Sequence, residues 1–150
     1  MCVIVDASVA GRVFSVPHEA DFQPLWQWLE EKDGRLVYGG RLTRELNRLP
    51  SARRLLAELK RGGRALECRR PDVDEEERVV DRLGLCRSND PHVIALTRVS
   101  GARVLCTNDQ NLEIDFTNRQ LVPAPKGKIY KQASHKRLLK HNKICIGRRR

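Results

Sequence analysis

The fold of this chain is decided by SNDPHVIALTRVSGARVLCTND, residues 88–109. Asp90 stands directly before a proline, which is the arrangement of a helix N-cap followed by a first helical residue. The apolar residues after them leave almost no polar face, so we predict a helix that is covered on most sides. A glycine ends it, and residues 103–107 form an apolar run of strand length that leads to Asp109. Because a helix in a parallel α/β layer begins at the edge where strands end, we expect Asp90 and Asp109 at one edge of the sheet.

Short apolar runs alternate with helical patterns through the rest of the chain, which predicts an α/β fold with a doubly wound sheet. Residues 2–5 are a continuous apolar run, typical of a central parallel strand. Residues 36–38 and 65–68 predict two further strands, and residues 121–122 predict an edge strand that two prolines terminate. We predict a short segment at residues 9–14 and helices at residues 21–34, 41–49, 50–61, 72–83 and 110–116.

The charged residues are unevenly distributed. The 150 residues carry a formal net charge of +10, yet residues 1–115 contain all 19 acidic residues. Residues 116–150 contain 11 of the 29 Lys and Arg residues and no acid. We therefore predict a body over residues 1–125 and a basic, flexible tail over residues 126–150. Such a tail suits a polyanion, either nucleic acid or an acidic partner, and the alternative is a solvated appendage without a specific role.

Three features bear on where the protein resides. No apolar run approaches the length of a membrane span, and the first ten residues lack the basic lead of a secretory signal. The five cysteines are odd in number and scattered, which fits neither a disulfide framework nor a zinc site. The sequence therefore predicts a reduced, cytoplasmic protein with no membrane partner.

Four acids far apart in the sequence are predicted to meet at the edge of the sheet. Asp6 ends the first strand, and Glu45 lies about one turn into the helix after the second strand, near the same edge as Asp90 and Asp109. Two carboxylates about 4 Å apart repel each other by roughly 4 kcal/mol at an effective dielectric constant near 20. Several together require protons or a cation between them, and oxygen ligands select Mg²⁺ or Mn²⁺ over zinc.

Each acid also has a structural interpretation. Asp6, Asp90 and Asp109 each stand where a side chain caps a helix or a turn. Glu45 is able to pair with Arg41 and Arg48 on a solvated helix face. The convergence of all four favours a cation site over four separate caps and ion pairs.

Four motifs follow one another along the chain: VIVDASVA at residues 3–10, Glu45, the Asn89 and Asp90 pair that opens the apolar helix, and VLCTND at residues 104–109. In this order and spacing they resemble a PIN-domain nuclease, over residues 2–122. The resemblance implies a three-layer α/β/α sandwich with a central, mostly parallel sheet. It also implies a Mg²⁺- or Mn²⁺-dependent endoribonuclease that hydrolyses RNA phosphodiester bonds.

The resemblance also implies roles for individual residues. Its acidic, metal-binding positions correspond to Asp6, Glu45, Asp90 and Asp109, with Asp115 as an additional acid. Ser8 and Thr107 correspond to hydroxyl positions that contact a metal-bound water or the phosphate. The chain is similar in size to VapC-type ribonuclease toxins, which implies an antitoxin protein as a partner. The resemblance assigns no role to the basic tail.

Cations near the acidic edge must supply the affinity for RNA, since carboxylates repel phosphates. We predict this role for Arg41, Arg44 and Arg48 on the Glu45 helix and for tail residues, among them Lys136, Arg137 and Lys140. No His or Lys within the four motifs is an obvious general base, which favours metal-bound hydroxide as the nucleophile. His92, two residues after Asp90, we expect at the surface rather than at the substrate.

Other functions are weighed against the nuclease. A catalytically inactive PIN-like module that binds RNA or ribonucleoprotein through the tail is the main alternative, and the presence of all four acids argues against it. A phosphatase with an aspartyl nucleophile is disfavoured because Ser8 stands where its second Asp belongs. Trp26 and Trp28 cannot both face the core of one helix, so we expect either an exposed tryptophan for a homodimer or inhibitor contact, or a peripheral core position.

Overall fold

The computed structural model describes residues 2–32 and 34–141. In chain order its elements are β1 (Cys2–Val5), α1 (Ala7–Val13), a 3₁₀ turn (Ala20–Phe22), α2 (Gln23–Glu31), β2 (Arg35–Gly39), α3 (Arg41–Asn47), α4 (Pro50–Arg61), β3 (Ala65–Cys68), α5 (Arg70–Leu83), α6 (Pro91–Ser100), β4 (Val104–Cys106), α7 (Gln110–Thr117), β5 (Lys128–Ile129), a second 3₁₀ turn (Ala133–Lys136) and α8 (Arg137–His141).

The strands form one parallel sheet in the order β3-β2-β1-β4-β5. From the central β1 the chain moves to β2 and β3 on one side and then returns to β4 and β5 on the other. Right-handed crossovers place α1–α4 on one face of such a sheet and α5–α7 on the other. The predicted α/β class and three-layer sandwich are confirmed. The order reverses between β1 and β4, and ligands of open α/β sheets bind at the carboxyl edge of such a reversal.

The predicted central helix is α6. Its residues Val93, Ile94, Ala95 and Leu96 are fully buried, and it lies against β2, β3 and α5. Gly101 ends the helix in the left-handed region, with φ of +80°, where a glycine avoids the strain that a Cβ would cause. The coverage on most sides that the sequence predicts for this helix is therefore confirmed.

The sheet continues past the boundary that we predicted at residue 125. The edge strand predicted at residues 121–122 is wrong: they form a turn, and both N–H groups donate to the Asn118 carbonyl. The fifth strand is β5, which pairs with β4. The Arg103 guanidinium fixes the connection by donating to the carbonyls of Pro123 and Pro125. The described part of the predicted tail therefore begins with a strand of the sheet, and residues 142–150 lie outside the described residues.

Both tryptophans of α2 are buried. Of the two alternatives considered for them, a peripheral core position is therefore correct, and neither ring is exposed for a dimer or inhibitor contact. Trp26 is 2% exposed, and its indole N–H donates to the Val13 carbonyl at 2.8 Å. Trp28 is 7% exposed because its ring covers Gly34, where a Cβ would overlap it. The turn after the helix thus provides the cover that helical periodicity alone does not reveal.

Two further findings concern the predicted location of the protein. None of the described helices is both long and apolar enough to cross a membrane. Cys68, Cys86 and Cys106 have free thiols, whereas Cys2 is disulfide-bonded. The disulfide departs from the fully reduced state that we predicted for the five cysteines.

Candidate active site

Asp6 is the centre of a hydrogen-bond network that joins the ends of β1 and β4. Val5 is paired with Cys106, so the residues that follow each strand lie side by side. The Asp6 carboxylate is 2% exposed, and its Oδ2 accepts from the hydroxyls of Ser8 at 2.7 Å and Thr107 at 2.8 Å. Within the described part of the chain its Oδ1 has no hydrogen-bond partner. The network therefore holds the carboxylate in place and leaves one oxygen for a ligand.

The two hydroxyls predicted to contact a metal-bound water or the phosphate lie directly on Asp6. They are 3.2 Å apart, and each also accepts a backbone hydrogen bond. The Asn108 N–H donates to Ser8 Oγ at 3.0 Å, and the Asp109 N–H donates to Thr107 Oγ1 at 3.1 Å. The loop after β4 is thus hydrogen-bonded to the first turn of α1.

Glu45 and Asp90 come together from α3 and α6, and His92 lies with them. One potential ligand atom of each residue lies within 4.8 Å of the other two. His92 Nε2 is 2.9 Å from Glu45 Oε1, and the His92 side chain is 1% exposed. The predicted surface position of His92 is therefore wrong, because the neighbours that cover α6 also cover its first turn.

The surface ion pair considered for Glu45 does not form in the described residues. Arg41 is paired with Glu77 of α5 at 2.7 Å instead. The Glu45 carboxylate, 31% exposed, contacts the imidazole of His92. It is therefore turned toward α6 rather than along its own helix surface.

The Asp90 carboxylate experiences the charge of the other three acids. Its pKa is raised above its usual range, first by burial, then by the negative charge of Asp6, and to a smaller extent by Glu45 and Asp109, while His92 partly offsets the shift. Asp90 occupies the N-cap position of α6, yet its side chain makes no capping hydrogen bond. Capping therefore does not account for this carboxylate, which lies among the negative charges of Asp6, Glu45 and Asp109.

Asp109 and Asp115 have different structural roles. Asp109 Oδ1 caps α7 by accepting from the N–H groups of Asn111 and Leu112, as its turn interpretation predicted. Asp115 is 1% exposed, and its two oxygens accept from the N–H groups of Arg87 at 2.8 Å and Ser88 at 3.0 Å. Both Asp115 oxygens are occupied by the loop that leads into Asp90, which does not fit the additional metal ligand that we predicted there.

These residues fit a divalent cation. Potential ligand atoms of Glu45, Asp90 and His92 lie within 4.8 Å of one another, and the Asp90 side chain makes no capping hydrogen bond. Asp6, whose charge acts on Asp90, has one oxygen without a hydrogen bond among the described residues. Carboxylate oxygens are the ligands that Mg²⁺ and Mn²⁺ prefer. The His92 imidazole lies beside these oxygens, a neighbour that the oxygen-only set did not include.

The residues predicted to bind RNA lie on two parts of the surface. Arg44 and Arg48 are exposed at α3, and neither has an ion pair within residues 2–32 and 34–141. The described tail cations Lys136, Arg137 and Lys140 are exposed on the second 3₁₀ turn and α8, which pack on the α2 side of the molecule. Lys136 and Lys140 line a cavity of about 360 Å³ beside Trp28.

Comparison by sequence gives no match, either to a family model or to a curated protein. Comparison by structure matches this chain to the crystal structure of VapBC2 from Rickettsia felis bound to a DNA fragment from their promoter. The TM-score is 0.52 at 10% sequence identity, and the match covers 88% of this chain and 99% of that chain. VapC is a PIN-domain toxin. The fold of this chain is PIN-like.

Within the PIN-like fold, sequence reasoning missed the position of His92 and the anchoring role of Asp115. The signal for His92 was present, since a helix without a polar face must also bury the histidine in its first turn. No local signal identifies Asp115, because its partners are the backbone N–H groups of Arg87 and Ser88, which belong to a different loop.

Proposed function

We propose that this chain is a Mg²⁺- or Mn²⁺-dependent endoribonuclease that hydrolyses RNA phosphodiester bonds with metal-activated water. The observation that carries the proposal is the meeting of Glu45 and Asp90, whose potential ligand atoms lie within 4.8 Å of each other although they come from different helices. The charge of Asp6 also acts on Asp90. Negative charge is concentrated at the carboxyl edge where the strand order reverses, which is where open α/β sheets bind ligands.

Asp6, Glu45 and Asp90 would hold the cation. When bound, a divalent ion supplies a hydroxide nucleophile near neutral pH and neutralises charge that develops on the phosphoryl oxygens. Ser8 and Thr107 fix the orientation of Asp6 and keep its Oδ1 available. Without a cation the clustered carboxylates repel the phosphate backbone, so activity should require the metal.

For substrate binding we propose Arg44 and Arg48, with Arg41 in a weaker role because it is paired with Glu77. Lys136, Arg137 and Lys140 would extend the positive surface. Contacts of this kind bind phosphates without choosing a sequence, and their affinity falls steeply with salt.

We also propose that the protein is the toxin of a toxin–antitoxin module and is held inactive by an antitoxin protein in the cytoplasm. Two features support this role: the likeness to the VapBC2 structure and the near-complete coverage of the matched chain.

The test is cleavage of labelled RNA by purified wild type, Asp6→Asn and Asp90→Asn, in Mn²⁺, in Mg²⁺ and in chelator. Glu30→Gln is the matched control, because it removes an exposed carboxylate from α2, outside the acidic edge. We expect metal-dependent cleavage by wild type and Glu30→Gln, and a loss of about 100-fold or more in both site variants. Full activity in chelator would disprove the proposal. Salt-sensitive RNA binding without cleavage across both metal titrations would favour the inactive RNA-binding module instead.

A further inference from the structure

His92 and Glu45 form a hydrogen bond that ties α6 to α3 beside the candidate metal site. His92 Nε2 is 2.9 Å from Glu45 Oε1, and the two residues are 47 positions apart. Within residues 2–32 and 34–141, Glu45 has no other side-chain hydrogen bond or ion pair. A long side chain that is 31% exposed therefore depends on a single contact for its orientation.

The direction of this hydrogen bond follows from the chemistry of the two groups. An ionised carboxylate only accepts, so Nε2 must carry the hydrogen. His92 Nδ1 is buried and has no partner among the described residues. An unprotonated Nδ1 leaves only an acceptor unpaired, whereas a protonated Nδ1 would bury an N–H donor without an acceptor, which is costly. The tautomer with hydrogen on Nε2 is therefore favoured, and in it Nε2 is not free to bind a metal.

We propose that His92 is a positioning residue for the metal site: its Nε2–H holds Oε1 of Glu45 and leaves Oε2 of that carboxylate for the cation. The proposal rests on the proposed function and deepens it. Groups that hydrogen-bond a metal ligand from outside the coordination sphere typically contribute about 10- to 100-fold to metal affinity. The His92 ring is 1% exposed, so the packing around α6 fixes the direction in which Nε2 points.

The first test measures Mn²⁺ and Mg²⁺ affinity by titration calorimetry on chelator-treated full chain. We expect His92→Phe to weaken both metals by roughly 10- to 100-fold, and His92→Gln, which retains an N–H donor, to recover part of the loss. Thr97→Val is the matched control, because it alters a buried polar group of α6 that bonds only to the Val93 carbonyl. Unfolding temperatures establish that each variant folds, and His92→Gln carries the test if His92→Phe does not.

A double-mutant cycle distinguishes positioning from direct ligation. If His92 acts through Glu45, His92→Phe should have little further effect on Mn²⁺ affinity in a Glu45→Gln background. Equal losses for Mg²⁺ and Mn²⁺ are expected from positioning. A loss confined to Mn²⁺, the metal with more affinity for nitrogen, would instead make the imidazole a ligand and overturn the proposal, as would unchanged affinity in both His92 variants.

A metal-free measurement separates failure of this inference from failure of the proposed function. Nitrogen-15 NMR of the imidazole groups should show His92 protonated at Nε2 and unprotonated at Nδ1, and Glu45→Ala should change the Nε2 signal. Hydrogen on Nδ1 with none on Nε2 would disprove the hydrogen bond regardless of activity. The expected tautomer without any metal binding by the wild type would count against the nuclease and the positioning role together.

Discussion

Thr107 Oγ1 donates a 2.8 Å hydrogen bond to Asp6 Oδ2 across 101 residues of sequence. The contact exists because β1 and β4 are parallel neighbours in register, so the residues that follow Val5 and Cys106 lie side by side. Ser8 donates to the same oxygen at 2.7 Å. The Ser8 N–H also donates to it at 3.4 Å, which caps α1. One carboxylate oxygen thus accepts three hydrogen bonds, and the other remains available at the point where the strand order reverses.

Replacing Thr107 with Val should weaken the site and the fold together. The variant removes a donor to Asp6 and leaves the Asp109 N–H without its acceptor. We expect a loss of about 1–3 kcal/mol in the free energy of unfolding and a 10- to 100-fold loss in metal affinity. Urea denaturation and metal titration measure the two effects. Thr107→Ser keeps the hydroxyl and should therefore retain most of the stability and most of the metal affinity. Equal losses in the Val and Ser variants would contradict the role of the hydroxyl.

Asp90→Asn should stabilise the metal-free protein at neutral pH. Burial and the charge of Asp6 raise the pKa of Asp90 in the folded state above its ordinary value of 3.8, so the folded state binds this proton more tightly than the unfolded state does. The free energy of unfolding therefore falls as pH rises from the unfolded pKa through the folded pKa, and the loss persists above it. Asn does not ionise, so it avoids this loss of stability. The substitution removes no capping hydrogen bond, because the Asp90 side chain makes none.

Thermal unfolding checks this in the absence and presence of Mn²⁺. Without metal at pH 7, Asp90→Asn should melt above the wild type, and the difference should shrink at pH 3. With Mn²⁺ the order should reverse, because a cation that binds only the folded wild type stabilises it. If metal-free Asp90→Asn melts below the wild type at pH 7, the ionised Asp90 does not destabilise the metal-free protein and the prediction is wrong.

The sequence predicts elements whose signal is local, and it fails where a contact from elsewhere decides the structure. The apolar run of β1 and the Asp90–Pro91 helix start were sufficient for the sheet centre and for α6. The convergence of acids followed from a topological rule about parallel strands. By contrast, β5 has only two residues, Lys128–Ile129, and forms because Arg103 holds the preceding loop. No pattern within two residues carries that information.

Asp115→Ala should loosen the loop before Asp90. The variant leaves the N–H groups of Arg87 and Ser88 without their acceptor, at a cost of about 1–3 kcal/mol in the free energy of unfolding. Amide hydrogen exchange should accelerate at these two residues while the Tyr130 amide, which donates to the Leu105 carbonyl, stays protected. If Asp115 were instead a metal ligand, its removal would abolish Mn²⁺ binding without faster exchange in the metal-free loop.

Tyr130→Phe tests whether residues beyond 125 belong to the body. The Tyr130 ring is fully buried, and its hydroxyl donates to the Asp21 carbonyl at 2.7 Å. We expect a loss of about 0.5–1.5 kcal/mol in the free energy of unfolding, with Mn²⁺ affinity unchanged. A chain ended at residue 125 should lose considerably more, since it also exposes the edge of β4 and removes the buried Leu139. Equal stability of that truncated chain and the wild type would support the boundary at residue 125 that we predicted from composition.

Arg44→Gln and Arg48→Gln should weaken RNA binding at every sequence by a similar factor. Both side chains are exposed on the Glu45 helix and are not occupied by an ion pair in the described chain, so each is free to neutralise a phosphate. The slope of log affinity against log salt should fall by about one for each contact removed. Arg41→Gln is the internal comparison, because pairing with Glu77 at 2.7 Å already satisfies that guanidinium and its loss should change the slope less. Filter binding to one unstructured RNA, with Mg²⁺ and the inactive Asp90→Asn background throughout, measures all three slopes. Unchanged slopes in the Arg44 and Arg48 variants would assign the RNA contacts to other cations of the chain.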